Sequence, residues 1–390
     1  MITIEKKLST SSVYSFHNQI PYEDMVFFDI ETTGFSPNNT ILYLIGCAYY
    51  RDNSWNLIQW FADDNTSEKQ ILHSFFDFIS DYKVLIHFNG EGFDIPYIQK
   101  KCAKIGLDYT FDNITSYDIY KKLLPYKKLF KLENFKQKTI EQFLRIPRND
   151  TFSGGELIQV YANFLGMKKL EQLKSRNHEV SPVKNLEARI QYNNNGTTSA
   201  SDSSVFLEQL LRHNEEDVQG MLPLTQILAY RDLFTDCYLN INSSIEKDQL
   251  VIHFTLSSAL PQGVSYGTDS LYFSAYGDQA LLKIELYQNE LKFFYDNYKD
   301  YYYLPKEDTA IHKSVAFYVD KNFRTRAKAA NCYSKKTGRF VPQYEELYTP
   351  HFKIDYNDKF SYVEVTEEFL QDSEKLCSYA SHILRHLLKL

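Results

Sequence analysis

The sequence predicts two domains, a first of α/β class with a mixed sheet and flanking helices and a second, β-rich domain of α+β class. Short apolar runs rich in β-forming residues cover 25–28, 41–50, 54–62 and 83–90, which predicts strands. Apolar side chains recur at helical spacing over 67–80 and 95–106, which predicts helices. The length of 390 residues exceeds that of one ordinary core and favours two domains.

The elements of the first domain follow in the order three strands, helix, strand, helix, which is typical of an α/β arrangement with a mixed sheet. The turn residues RDNS at 51–54 predict a hairpin between the second and third strands. Residues 114–170 and 205–222 predict further helices. Between them, the polar stretch at 192–204 is interpreted as a loop or an insertion.

The pattern changes at about residue 236. Short alternating segments such as QLVIHFTL and ALLKIELY are separated by turn residues, and a last helix is predicted near 366–389. We therefore predict an N-terminal extension over 1–20, the α/β domain over 21–232 and the β-rich domain over 233–390. The sequence leaves the role of the β-rich domain open, and nucleic-acid binding is one interpretation.

The composition excludes several classes of protein. The formal net charge of −7 gives no general affinity for nucleic acid, so any basic surface has to be local. No apolar run approaches the roughly 20 residues that cross a bilayer, and the N-terminus has no signal-peptide core. The five cysteines stand far apart without a CxxC pair, which is typical of reduced thiols. These features predict a cytoplasmic protein with no membrane partner.

Two carboxylates follow the first apolar run. Asp29 and Glu31 are two residues apart on a predicted strand, so their side chains share one face. They lie at its C-terminal end, where open α/β sheets bind ligands. Oxygen ligands of this kind indicate Mg²⁺ or Mn²⁺. The alternative is a turn with a solvated acid pair.

Two further segments carry acids that could join this pair. Asp94 follows a strand and a glycine turn in HFNGEGFDIPYI, where an aspartate is often only a helix cap. His213 and Asp217 in HNEEDV are four residues apart and share one helix face, as an exposed surface pair also would. Glu215 and Glu216 are expected to point elsewhere into solvent.

Taken together, the order D-x-E, N-G-x-x-F-D and H-x-x-x-D resembles the DEDD (DnaQ-like) 3′–5′ exonuclease superfamily, which has a ribonuclease-H-like fold. The sequence is most similar to the YprB-like group of bacterial ribonuclease-H-like domains. Residues 116–165 also look like that group, notably 132–141 and the run RNDTFSGGE at 148–156. The resemblance covers roughly residues 20–232.

The resemblance implies a metal-dependent 3′–5′ exonuclease, or a related nuclease, that hydrolyses phosphodiester bonds of DNA or RNA by a two-metal mechanism. Its four metal-binding acids fall on Asp29, Glu31, Asp94 and Asp217, which would hold two Mg²⁺ or Mn²⁺ ions. His213 would be the general base or would orient the water. Its distance of four residues from Asp217 is the spacing of the tyrosine subclass rather than the five of the histidine subclass.

The implied partner is nucleic acid, single-stranded or at a 3′ end. The alternative function is a nucleic-acid-binding module that keeps the fold and is weakly active or inactive. The presence of all four acids favours the enzyme. A polymerase proofreading domain fits poorly, because only about 160 residues follow the first domain and they lack a paired-aspartate palm signature.

The resemblance also suggests residues that contact the substrate. Thr32, Thr33 and Phe35 would contact the terminal nucleotide, and Asn89 and Phe93 flank the second motif. Ordinary turn formation and packing is the alternative for all five. The loop with Arg148, Asp150 and the glycines at 154–155 is expected near the substrate, without an assigned step.

One stretch of the second domain, residues 312–340, is strongly basic. Cations for phosphates interleaved with aromatic faces for bases predict contact with a nucleic-acid strand. The alternative is a lysine-rich sheet edge that deters aggregation. The predicted contact residues are Arg324, Arg326, Lys328, Lys335, Lys336 and Arg339, with Phe323, Tyr333 and Phe340 between or beside them.

Overall fold

The fold is that of a computed structural model that describes residues 1–9, 12–16, 19–177, 202–234 and 238–389, without the side chains of 175–177. The stretch predicted as a polar loop, 192–204, lies outside the described residues except for its last three. The chain folds into two compact units. The first comprises Met1–Leu124 and Glu133–Leu228, and the second comprises Pro125–Leu132 and Ala229–Leu390. The domain limits 21–232 and 233–390 stay predictions, since compactness alone does not show that a segment folds independently.

The first unit contains a six-stranded mixed sheet. Its strands are β1 (Ile2–Lys7), β2 (Met25–Thr32), β3 (Leu42–Arg51), β4 (Ser54–Phe61), β5 (Val84–His87) and β6 (Thr115–Asp118). They lie in the order β1-β4-β3-β2-β5-β6. β2 pairs parallel with β5, and β5 with β6, whereas the other pairs are antiparallel. β1 was not predicted, because an exposed edge strand with alternating charged residues lacks an apolar run.

Helices flank this sheet, so the predicted mixed sheet with flanking helices is confirmed. They are α1 (Glu68–Ile79), α2 (Asp94–Ile105), α3 (Ile119–Leu123), α5 (Gln137–Phe143), α6 (Gly154–Asn177) and α7 (Ser203–Leu224), while α4 (Lys127–Phe130) belongs to the second unit. Met25, Val26 and Phe27 of β2 are fully buried. A central strand covered on both faces has a continuous apolar run, and the two acids follow this run.

The second unit is β-rich, as predicted. Its elements are β7 (Leu239–Glu246), β8 (Gln249–Gly267), β9 (Leu271–Glu285), β10 (Tyr287–Phe294), β11 (Tyr301–Leu304), β12 (Thr309–His312), α8 (Lys313–Ala316), β13 (Thr325–Arg326), β14 (Tyr333–Gln343), β15 (Ser361–Glu364), α9 (Glu367–Gln371) and α10 (Ser373–Leu388). The strands form three three-stranded sheets, β7-β8-β9, β10-β14-β15 and β12-β11-β13. Among the described residues, no helix combines the length and apolar character that crossing a membrane would need.

Candidate metal centre

The first two acids lie where β2 passes α7. Asp29 pairs across the sheet with Gly46 of β3, and the Nδ2 atom of Asn214 on α7 donates to Asp29 Oδ2 at 3.1 Å. A Cβ atom at Gly46 would lie 2.0 Å from Asn214 Oδ1. Glycine is therefore required at this position for α7 to approach the sheet closely enough to reach Asp29.

Helix α7 brings His213 and Asp217 to the same place. His213 Nε2 lies 3.1 Å from Asp217 Oδ2 and 3.7 Å from Glu31 Oε1. One ligand atom from each of these three residues lies within 4.8 Å of the others, close enough to share a cation. His213 is buried, so the pair is not the exposed surface pair that the spacing alone also allowed.

Asp94 is the first residue of α2 and is buried. It is not a helix cap, because the capping position is Phe93. Burial raises the pKa of Asp94 to about 7, and hydrogen bonding to the backbone, including that of Ile30 in β2, opposes the rise. The negative charges of Asp118 and Asp217 raise this pKa further. Asp94, the third of the four candidate metal-binding acids, therefore interacts electrostatically with Asp118 and Asp217.

The acids of β2 are held in a site that disfavours negative charge. Burial raises the pKa of Glu31 to about 8, and burial also raises that of Asp29 well above its usual range. Repulsion from Glu31, Asp217 and Asp94 adds to the rise at Asp29. Buried carboxylates that repel one another are stabilised by a cation between them. Their oxygen ligands fit Mg²⁺ or Mn²⁺.

His213 supplies positive charge to this cluster. Burial lowers its pKa, but the hydrogen bond to Asp217 and the charges of Glu31, Asp217 and Asp150 raise it to about 9. Burial in turn raises the pKa of Asp217, but His213 and Arg148 outweigh burial and hold it below its ordinary value. At neutral pH the imidazolium thus balances part of the acidic charge.

The loop before α6 contributes residues that had no assigned step. His213 Nδ1 lies 2.6 Å from Asp150 Oδ2. The Arg148 guanidinium contacts Asp217 Oδ1 at 2.5 Å, Glu141 Oε2 at 3.1 Å and Asp150 Oδ2 at 3.3 Å. Arg148 and Asp150 were expected near the substrate, whereas Glu141 was missed because nothing in its local pattern distinguishes it from an ordinary helical glutamate.

Glu216 anchors this loop to α7. Its Oε2 atom accepts hydrogen bonds from the backbone N–H of Asn149 at 2.9 Å and of Asp150 at 2.7 Å. Glu215 pairs with Lys6 of β1 at 2.6 Å. Both glutamates are partly exposed, and residues distant in sequence also supply partners for both.

Most of the residues expected to contact substrate also have structural partners. Thr32 Oγ1 donates to Gly34 O at 2.9 Å, and Thr33 Oγ1 accepts from the Ile41 N–H at 2.8 Å. Phe35 differs, since 89% of it is exposed and its ring meets the Phe93 ring edge-on, with centroids 5.9 Å apart. These two rings form an apolar edge that a base could contact.

Asn89 belongs to the turn that delivers Asp94. It adopts a φ of 61°, and its N–H donates to Asp118 Oδ1 at 3.0 Å. His87, Glu91 and Asp118 also have ligand atoms close enough to share a cation. Hydrogen bonds within the chain already engage them, with His87 accepting from the Gly90 N–H and Glu91 accepting from a serine hydroxyl. This cluster shapes the turn.

The structure divides four of the six predicted contact residues into two groups, and the other two, Lys328 and Arg339, are exposed. Lys335 pairs with Asp308 at 2.5 Å, and Lys336 pairs with Glu364 at 2.6 Å. Arg324 and Arg326 instead lie over the ring of Tyr302. Lys335 and Lys336 are thus engaged by acids, which leaves them less suited to bind phosphate than the sequence suggested.

A mixed sheet whose central strand ends in a buried carboxylate–histidine cluster defines an α/β protein with a candidate divalent-metal centre. A family model described as the RNase_H superfamily matches residues 26–229, more than half of the chain. The chain belongs to the RNase_H superfamily. This confirms the ribonuclease-H-like fold that the motifs implied, whereas membership of the DEDD and YprB-like groups stays a prediction.

Other similarities are limited. Over 39 residues, 10% of this chain, the sequence is 46% identical to DNA polymerase 1 of Sulfurisphaera ohwakuensis, of which the match covers 4%. The family B DNA polymerase of Pyrobaculum calidifontis aligns with 71% of this chain and 35% of its own, at 11% identity and a TM-score of 0.35. The zinc-bound E. coli ExoI–ssDNA complex aligns with 94% of this chain and 71% of its own, at 10% identity and a TM-score of 0.26. Scores this low do not establish a shared overall fold.

Proposed function

We propose that this protein is a divalent-metal-dependent nuclease that hydrolyses phosphodiester bonds of DNA or RNA, and that it acts as a 3′–5′ exonuclease. The observation that carries the proposal is the convergence of acids from β2, α2 and α7 on one buried site. Residues distant in the sequence meet there, although burying carboxylates together is unfavourable without a cation. Membership of the RNase_H superfamily supports the same activity.

Asp29, Glu31, Asp94 and Asp217 would hold two Mg²⁺ or Mn²⁺ ions. Ions held there would lower the pKa of the attacking water and would neutralise charge on the phosphate and the leaving 3′ oxygen. The chain positions these acids by rigid elements. Asn214 fixes Asp29 through a 3.1 Å hydrogen bond, and Arg148 fixes Asp217 through a 2.5 Å contact.

Once its ring is neutral, His213 would accept the proton of the attacking water at Nε2, the nitrogen that faces Glu31 and Asp217. Its pKa of about 9 in the metal-free protein places this deprotonation at alkaline pH. The other nitrogen, Nδ1, is bound to Asp150. Asp150 therefore acts as a positioning residue, since it fixes the ring orientation and stabilises the imidazolium after proton transfer. Arg148 and Glu216 hold Asp150 in turn, through its side chain and its backbone.

The apolar edge formed by Phe35 and Phe93 would contact the terminal base. An exposed aromatic ring is typical of stacking on an unpaired base, and this supports single strands or 3′ ends as substrate. Thr32 and Thr33 would support this edge by shaping the turn, because their hydroxyl groups and the Thr33 N–H already have partners within the chain.

One observation favours the second candidate, a nucleic-acid-binding module with little or no activity. The Arg148 guanidinium already occupies Asp217 Oδ1 at 2.5 Å. If Arg148 kept that position in the presence of metal, Asp217 would have one oxygen fewer for an ion. The two candidate functions therefore differ in whether metal binding displaces the Arg148 guanidinium from Asp217.

The test is cleavage of an end-labelled strand. DNA and RNA, single- and double-stranded, are incubated with Mg²⁺ or Mn²⁺, with Asp29→Asn as the inactive control. The proposal expects stepwise shortening of 5′-labelled strands and release of single labelled nucleotides from 3′-labelled strands. Cleavage by the Asp29→Asn variant at the wild-type rate would indicate a contaminating nuclease, and binding without cleavage would support the second candidate.

A further inference from the structure

The sheet β12-β11-β13 of the second unit has an inner and an outer face. Tyr301 and Tyr303 pack on the inner face, against the buried cluster of Ala310, Ala327 and Cys332. Side chains alternate along a strand, so Tyr302 points to the opposite, outer face. This outer face is therefore not part of the small core that holds the sheet together.

Two arginines share the outer face with Tyr302. Arg326 is the direct cross-strand partner of Tyr302, and Arg324, two residues earlier, lies on the same side. The guanidinium carbons of Arg326 and Arg324 lie 4.6 Å and 4.8 Å from the centre of the Tyr302 ring. Arg324 also donates to the carbonyl oxygen of Ala316. The ring and this carbonyl contact fix the two charges in place.

Exposed aromatic rings follow α8, whose last residue, Ala316, accepts the hydrogen bond from Arg324 and so places them beside the arginines. Phe317 is 77% exposed and Tyr318 is 86% exposed, and their rings meet edge-on with centroids 5.5 Å apart. Phe323 is 49% exposed and lies under the amine of Lys306, which is 4.7 Å from the ring centre. Aromatic rings this exposed contribute little to a core, and neighbouring exposed rings typically mark a binding surface.

Basic residues outnumber acidic ones in the segment 313–328. Lys321 and Lys328 add to the two arginines, and both are exposed. Lys313 is engaged by Asp300 at 2.6 Å, and Asp320 accepts the N–H of Asn322 at a turn. Within the described part of the chain, no carboxylate pairs with Arg324 or Arg326, so both can meet phosphate groups.

We propose that this surface, formed by Tyr302, Phe317, Tyr318, Arg324 and Arg326, binds a single-stranded nucleic acid. The arginines contact phosphates, and the exposed rings stack on bases, which are accessible only in an unpaired strand. The choice of a nucleic-acid strand over another polyanion rests on the proposed nuclease function. Lys335 and Lys336 are not part of the surface, because they are paired with acids on another sheet.

The test measures the affinity of fluorescently labelled oligothymidylate and oligouridylate by anisotropy, in EDTA and in the Asp29→Asn background so that no cleavage occurs. Arg326→Glu and the pair Phe317→Ala with Tyr318→Ala are each expected to weaken binding about tenfold or more. Arg326→Glu also lowers the slope of log affinity against log salt by about 0.7 per lost phosphate contact. The matched control is Lys359→Glu, the same charge change at an exposed position outside the sheet β12-β11-β13.

Equal losses in Arg326→Glu and Lys359→Glu would mean a diffuse charge effect and would overturn the proposal, as would unchanged affinity in both surface variants. Phe317 and Tyr318 are too exposed for their removal to unfold the chain, and circular dichroism checks this. Duplex DNA and anionic vesicles serve as competitors, and displacement of the strand by vesicles at similar charge would assign the surface to a membrane instead. Failure of the nuclease proposal is distinguished by the end-labelled cleavage assay, which needs metal and wild-type Asp29.

Discussion

The imidazole of His213 bridges two carboxylates, with Nδ1 2.6 Å from Asp150 and Nε2 3.1 Å from Asp217. The two acids come from different elements, a loop before α6 and α7 itself. Asp150 orients the ring through Nδ1, and Asp217, near Nε2, belongs to the candidate metal centre. The ring therefore connects the metal centre to the loop that Arg148 and Glu216 hold in place.

Asp150→Asn is expected to lower kcat by about 10²- to 10³-fold, within the usual contribution of a general base, and to leave KM nearly unchanged. The amide keeps the shape of the side chain but removes the charge that stabilises the imidazolium. The pH at which activity rises should shift downward, because loss of Asp150 lowers the pKa of His213. Steady-state kinetics across pH measure both effects.

The control for this variant is Lys138→Met, which removes a partly exposed cation 3.3 Å from the same Asp150 oxygen. It should retain activity within a few-fold. A fall in metal-induced stabilisation for Asp150→Asn equal to that for Asp29→Asn would contradict the positioning role, because Asp150 would then act as a ligand.

Asp29→Asn is expected to raise the Tm of the metal-free protein at pH 8 and to abolish cleavage. The substitution removes a carboxyl group whose ionisation burial and the neighbouring acids disfavour. It also removes an oxygen ligand, so Mn²⁺ should raise the Tm of the wild type far more than that of the variant. Differential scanning fluorimetry with and without Mn²⁺ measures both changes, with Asp112→Asn at an exposed position as the control. A Tm response to Mn²⁺ equal to the wild type's would remove Asp29 from the metal site.

The metal-free protein should lose stability as pH rises from about 6 to 9. The folded-state pKa values of Glu31 and Asp94, about 8 and about 7, lie above their ordinary values of 4.5 and 3.8. The folded state therefore binds more protons than the unfolded state in this window, and stability falls with pH. His213 acts in the same direction, because its pKa is raised from 6.5 to about 9 and its contribution is lost as pH rises through that value.

Denaturant unfolding in EDTA at several pH values checks this prediction. Mg²⁺ or Mn²⁺ should weaken the dependence of stability on pH, because bound cations replace the protons on the buried acids. In the variant Glu31→Gln the loss of stability with pH should be smaller. A stability that rises between pH 6 and 9 without metal would show that the acids are not buried together.

Gly46→Ala is expected to cost about 1–3 kcal/mol of unfolding free energy, the usual range for overpacking a close contact. The added methyl would overlap Asn214 Oδ1, which lies 2.0 Å from the position of that Cβ. Combining it with Asn214→Ala should cost less than the sum of the single changes, because the second substitution removes the overlapping atom. Urea unfolding of the four proteins measures the coupling, and strict additivity would show that the two residues do not meet.

The sequence predicted the features that depend on local pattern. The apolar run of β2 and the spacing of Asp29 and Glu31 place two acids on one face at the end of a buried strand. The helical spacing of His213 and Asp217 likewise places them on one face of α7. The β-rich character of the second unit followed from its alternating segments.

The edge strand β1 and the roles of Glu141, Arg148 and Glu216 could not be predicted in the same way. β1 is recruited by pairing with β4 and has a weak apolar pattern of its own. The sequence pattern predicts an exposed helical residue at Glu216. In the structure, it accepts hydrogen bonds from two backbone N–H groups of the loop at 149–150. Such contacts join residues far apart in the chain, and no local periodicity records them.

The sequence by itself determined which residue types could bind a cation and on which strand and helix faces they stand, because those faces follow from the repeat of each element. Only the tertiary structure decided that α7 comes close enough to β2 for the acids to share one site, since this requires Gly46 to leave room for Asn214. It also decided which cations of the second unit are already paired with acids. Both depend on distances between segments, which are set by packing.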